Sequence, residues 1–156
     1  IRAEAYFWQD QLSLAADDIN MIRGRANAPL ISSDEVTIDY IFDERARELY
    51  MEEPRHSEMV RVSYIMANLN RDGYSVANFT QKNWYHDRLM RVNPYYTQDP
   101  IFRWRSVDAY IDPHNVLWAI PQSVITANTL GTINQNVGYV GDGNNIPPLT
   151  EITEDE

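Results

Sequence analysis

Carboxylates crowd one short stretch of the chain, where Asp43, Glu44, Glu48, Glu52 and Glu58 stand among Arg45, Arg47, Arg55 and Arg61. A pair of acids can hydrolyse a glycosidic bond, but only when the two face each other across a cleft. Acids repeated along one helical stretch do not provide that geometry, whereas guanidinium groups suit bidentate carboxylate pairing. The pattern therefore reads as an ion-pair network, solvated or between helices, and the protein as not an enzyme. His56, His86 and His114 are about 30 residues apart and lack the H-x-x-x-H or H-E-x-x-H spacing that puts two imidazoles on one metal. Asp142-Gly143-Asn144-Asn145 hints at a calcium loop, but the twelfth position is Thr153, where a bidentate Glu is required, so a Gly/Asn turn is the better reading. The chain has no Cys, which removes thiolate ligands and thiol nucleophiles. It also has no G-x-S-x-G, phosphate loop or dinucleotide fingerprint. No metal and no cofactor is expected.

The aromatic residues are the stronger functional lead. Ten of the 18 lie between Tyr64 and Tyr110. A Trp or Tyr can offer an apolar face to the C–H side of a sugar ring while its polar tip hydrogen-bonds a hydroxyl. Trp84, Tyr85, Tyr95, Tyr96 and Trp104 stand beside Asn83, Asn93, Arg103 and Arg105 in turn-rich sequence, which makes these five the candidate ligand contacts. Phe42, Phe79, Phe102 and Trp118 stand among apolar neighbours and are expected to pack in the core. Asn78-Phe79-Thr80 matches a glycosylation acceptor, a pattern short enough to be common by chance.

Charge narrows the partners. The net charge of −10 opposes binding to a polyphosphate, so no nucleic acid is expected. Residues 1–61 carry 7 Arg against 13 acids, residues 62–105 carry 6 bases against 3 acids, and residues 106–156 carry 7 acids and no base. No run approaches the roughly 20 apolar residues of a membrane span. The start at Ile1-Arg2-Ala3-Glu4 has neither an initiator Met nor a signal sequence, as expected of a piece of a longer chain.

These residues must be positioned by helices. Leu12, Ala15, Ala16, Ile19, Ile22 and Ala26 recur at three- and four-residue spacing, which predicts an amphipathic helix over residues 9–26 that ends at Asn27-Ala28-Pro29. Ser32-Ser33-Asp34-Glu35 and Thr37 compete as the next N-terminal cap. Ile38, Ile41, Phe42, Leu49 and Tyr50 then mark a second helix running to about Glu53, with a kinked restart at Pro54 carrying Met59, Val60 and Tyr64. Leu12, Ile19, Ile22, Ile38, Ile41, Phe42 and Leu49 should form one buried interface. The 156 residues thus read as one mainly α unit. It has a helical hairpin over 9–67, a loop-rich aromatic region over 68–140 without a long helix, and an acidic tail over 141–156. Within the loop-rich region, residues 116–120 form a short buried segment, and Pro121 starts a turn or two of helix that stops near Asn128.

Three blocks carry a family likeness: Ile19-Asn20-Met21-Ile22-Arg23-Gly24-Arg25-Ala26, Ile41-Phe42-Asp43-Glu44-Arg45-Ala46-Arg47-Glu48-Leu49, and Leu117-Trp118-Ala119-Ile120-Pro121-Gln122-Ser123. With Ile133-Asn134-Gln135-Asn136-Val137-Gly138-Tyr139, they resemble the C-terminal part of SusD/RagB proteins over most of residues 15–139. The chain departs from the usual family pattern at Glu53, Pro54, His56 and Ser57, and at Val137, where Pro is common. The resemblance implies tetratricopeptide-like helix pairs and a surface-exposed outer-membrane lipoprotein of Bacteroidetes whose signal and lipid anchor lie outside this sequence. It further implies non-catalytic binding of a polysaccharide, oligosaccharide or other nutrient, which is passed to a SusC-like TonB-dependent transporter. The alternative is a helical protein-protein interaction module with no small-ligand site.

Overall fold

The computed structural model describes residues 1–92 and 111–147, and the structural statements that follow concern those residues. The chain is mainly helical, as the apolar spacing predicts, with no strand among the described residues. Its α-helices are α1 (Arg2–Trp8), α2 (Leu12–Arg25), α3 (Ile38–Glu48), α4 (Arg55–Asn68), α5 (Trp84–Val92) and α6 (Gln122–Ala127). They divide between two compact units, Ile1–Pro54 and Arg55–Glu156.

In the first unit, α1 is an element the periodicity of residues 9–26 did not reveal. It packs on α2 through a tight turn in which Asp10 adopts φ 57°, and the Asp10 and Gln11 N–H groups donate to Phe7 O (3.0 Å) and Tyr6 O (2.9 Å). The same left-handed exit closes α2, where Asn27 has φ 53°. The Asn27 N–H donates to Gly24 O (3.1 Å) and the Ala28 N–H to Arg23 O (2.9 Å), satisfying carbonyls the helix end would otherwise orphan. Both competing caps are used in succession. The Ser32 N–H and hydroxyl donate to Glu35 Oε2 at 2.9 and 2.8 Å around the 3-10 turn Ser33–Glu35. Thr37 Oγ1 then accepts from the Tyr40 N–H (3.0 Å) to start α3. Between them, Asn20 clamps the backbone of Ile31, donating to its O (2.8 Å) and accepting from its N–H (2.9 Å).

Ala15, Ala16, Ile19, Ile31, Val36 and Ile41 form the core of this unit, with Leu12 packed against it. Ile38 and Phe42 are buried as expected. Ile22 and Leu49 instead line an open groove, so the expected interface is sealed along only part of its length. The second helix is also shorter than its spacing predicts and stops at Glu48 rather than near Glu53. Leu49 leaves helical geometry, Met51 takes φ 65°, and the Glu52 and Glu53 N–H groups both turn back to Leu49 O. α4 starts at Arg55, directly after Pro54, where the sequence places the restart.

In the second unit, α4 packs on α5, and α5 on the 3-10 turn Pro113–Val116. Ala67, Phe79 and Val116 form its core, with Val60, Tyr85 and Leu117 packed around them. Nine-residue α5 lies in the region read from sequence as loops with short elements. Its start is fixed by the fully buried Asn83, whose Oδ1 accepts from the His86 N–H (2.8 Å) while its amide donates to Phe79 O and Pro113 O, each at 2.8 Å. α6 begins after Pro121 and ends at Asn128, where the sequence places it.

The stretch after α6 has neither helix nor ladder beyond a 3-10 turn at Asp142–Asn144, so side-chain amides stand in for both. Asn134 exchanges two hydrogen bonds with the backbone of Ile146 (2.7 and 3.0 Å). Asn145 does the same with Gln135 (2.6 and 2.7 Å), and the Gln135 side chain does it with Ile120 (2.8 and 2.9 Å). Gly138 has φ 93°, and a Cβ there would sit 2.4 Å from the His114 ring, which packs edge-on against Tyr139. Both constraints demand glycine.

Candidate functional site

The second unit assembles an aromatic cluster around Trp118. Residues 117–120 form neither helix nor strand, and side chains from the amide-rich stretch hold several of their backbone groups. Tyr139 donates its hydroxyl to Leu117 O (2.7 Å), Asn136 donates to Trp118 O (2.6 Å), and Gln135 holds both polar groups of Ile120. Val116 faces the core, and two residues on Trp118 is 71% exposed. The apolar run read as a buried segment, with Trp118 in the core, is thus corrected. Val116 ends the 3-10 turn that packs on α5, and beyond Leu117 the chain leaves that core, so apolar character alone does not bury the run.

Behind Trp118 stands His56, in the first turn of α4, with ring centroids 5.0 Å apart and planes 28° from parallel. The imidazole meets Tyr85 edge-on at 5.3 Å. Tyr85 is itself anchored, because its N–H donates to Ser63 Oγ (2.8 Å), whose hydroxyl donates in turn to Met59 O (2.8 Å) on α4. Burial pushes the Tyr85 hydroxyl above its ordinary value, with a smaller contribution from Tyr139, so it remains a hydrogen-bond donor at neutral pH.

The five aromatics singled out from sequence are placed as follows. Tyr85 is half-buried in this cluster. Trp84 is only 3% exposed, with the Arg88 guanidinium 5.5 Å from its ring centroid, and it presents no open face. Tyr95, Tyr96 and Trp104 lie outside the described residues, as does Phe102. Phe42 and Phe79 are buried as expected. The residues missed by sequence reasoning are Trp118 and His56. Their signal was the Gln135, Asn136 and Tyr139 run, which supplies the partners an extended, outward-facing segment needs.

The arginine-rich block belongs to the first unit and does not form an acid pair across a cleft. Arg45 lies between two buried carboxylates, donating to Glu4 Oε2 (2.6 Å) on α1 and to Glu53 Oε1 (2.8 Å) after α3. Glu44 accepts from Arg23 (2.9 Å) on α2 and from Arg47 (3.0 and 2.6 Å) on its own helix. Arg25 pairs with Glu48, and Arg2 forks onto Asp18 at 2.7 and 2.6 Å. That hydrogen bond from Arg2 is the main reason the Asp18 carboxyl is held below its ordinary value. Arg2 and Arg45 line a half-open groove of about 590 Å³ together with the apolar Ile19, Met21, Ile22, Ile41 and Leu49. With their oxygens taken by arginine, the carboxylates are scaffold ties rather than proton donors.

Among the described residues no helix is long and apolar enough to cross a membrane, and no group of three or more His, Asp or Glu is placed to hold a metal ion. No curated protein and no solved structure matches the chain significantly. The SusD family model matches residues 1–139, which takes in all three blocks of the scaffold and the amide-rich stretch as far as Tyr139. The chain therefore belongs to the SusD family.

Proposed function

We propose that the protein binds a glycan or other nutrient at the bacterial cell surface, without chemical turnover, and hands it to a SusC-like TonB-dependent outer-membrane transporter. Family membership over residues 1–139 carries this reading. The commitment of Glu4, Glu44, Glu48 and Glu53 to arginine agrees with binding rather than catalysis. In this reading the protein is a surface-exposed lipoprotein, anchored through a part of the parent chain outside this sequence. Tyr85, Tyr95, Tyr96 and Trp104 are the proposed ligand contacts from the sequence pattern, whereas Trp84 is buried.

Affinity electrophoresis in gels containing starch, xylan, mannan or pectin tests binding, and co-purification of a β-barrel transporter from solubilised outer membranes tests delivery. Retardation by one polysaccharide with no release of reducing sugar is the expected result. Release of reducing sugar would overturn the non-catalytic reading. Transporter co-purification without retardation in any gel would favour an interaction module instead.

A further inference from the structure

We infer that Trp118, backed by His56 in a cluster that includes Tyr85 and Asn136, is a stacking platform for a neutral pyranose ring of an oligosaccharide. The inference rests on the glycan-binding reading above and assigns it a place in the chain. Trp118 is 71% exposed, and among the described residues the one ring stacked on it is His56, which covers one face of the indole and leaves the other open. Its backbone does not move freely, because Tyr139, Asn136 and Gln135 hold the segment on both sides of it. A rigid aromatic face costs little ordering entropy on binding, and that separates a platform from a merely exposed side chain.

The polar groups of the cluster are of the kind that reads hydroxyls. Neither ring nitrogen of His56, nor the Tyr85 hydroxyl, nor Asn136 Oδ1 has a hydrogen-bond partner among the described residues. The Asn136 amide is spent on Trp118 O, which leaves its carbonyl as an acceptor, while Tyr85 stays a protonated donor. Donors and acceptors beside an open aromatic face match a sugar, whose ring presents C–H groups on one side and hydroxyls at its edge. The sign of charge selects a neutral one. The protein's net charge of −10 disfavours an acidic polysaccharide at long range.

The test is calorimetric titration of the protein with maltoheptaose, cellohexaose, xylohexaose and mannohexaose, and with hexagalacturonate as the acidic arm. At least one neutral oligosaccharide should bind and hexagalacturonate should not. By analogy with stacking of nucleobases on aromatics, Trp118→Ala should weaken binding about 5- to 100-fold and Trp118→Phe less. Both variants should melt within about 2 °C of wild type, as expected for an exposed side chain. Equal binding by wild type and Trp118→Ala would overturn the platform while leaving the glycan-binding function intact. A melting loss of many degrees in Trp118→Ala would show that the ring is covered by protein, which also overturns it. Binding of none of the neutral sugars would overturn the platform and the glycan reading together, and binding of hexagalacturonate alone would overturn its neutral preference.

Discussion

Arg45 shows why the acidic and basic residues of its block are fixed in type and not only in charge. Its planar fork reaches Glu4 and Glu53 at once, and both carboxylates are largely shielded from water. A lysine offers one point charge and could not hold both in the same geometry. Arg45→Ala would leave two buried carboxylates facing each other, and we expect it to destabilise the first unit by about 3–5 kcal/mol, measured by urea denaturation. A cost below about 1 kcal/mol would mean that the pairs are effectively solvated. The block was legible in sequence as an ion-pair network, but the partner on α1 was not. Glu4 lies 41 residues from Arg45, and no local spacing connects them.

At the scale of the element, what sequence revealed and what it hid follow from how each helix is stabilised. α2 and α3 carry their own signals, a repeated apolar face and the Asn27 and Thr37 ends, and both were readable. α1 is seven residues long with no side-chain cap, and it exists through packing of Ala3, Tyr6 and Phe7 on the core of its unit. α5 hides for another reason: it buries Arg88 as well as Trp84, which blurs the apolar stripe, and its start depends on Asn83 bonding to chain 30 residues away. Trp118 was misplaced because a five-residue apolar run is too short to show by periodicity where it leaves the core. The partly open α2/α3 interface yields its own prediction. Ile41 belongs to the core yet also lines the groove, so Ile41→Ala should cost about 2–4 kcal/mol, toward the lower end if the groove edge relaxes into the space. A near-neutral melting curve would mean that the groove already isolates Ile41 from the core.

For the whole molecule, the titrating groups set limits at both ends of the pH scale, and different units set them. Asp18, through Arg2, and Glu35, through the Ser32 N–H, have folded-state values below ordinary, so their stabilisation is complete above the usual carboxylate range and is lost as pH falls through the lowered values. Tyr74 is displaced upward by burial and by its hydrogen bond to Asp87, and Tyr85 by burial. Their stabilisation is complete below about pH 10 and is lost as pH rises through the raised values. Melting temperature followed from pH 2 to 11 should therefore fall at both ends. Asp18→Asn should flatten the acid limb and Tyr74→Phe the alkaline limb, and a flat wild-type profile would contradict both assignments. The amide clamps of residues 134–146 have a consequence in another setting, the protease-rich surroundings of a cell. A protease must draw a length of backbone into its own cleft, which a loop without helix or sheet normally permits. Here Asn134, Gln135 and Asn145 already occupy that backbone, so chymotrypsin should spare the stretch yet cut after Leu130, which is 97% exposed just before it. Amides so placed make an irregular segment durable without giving it the open edge of a sheet, along which other chains could add.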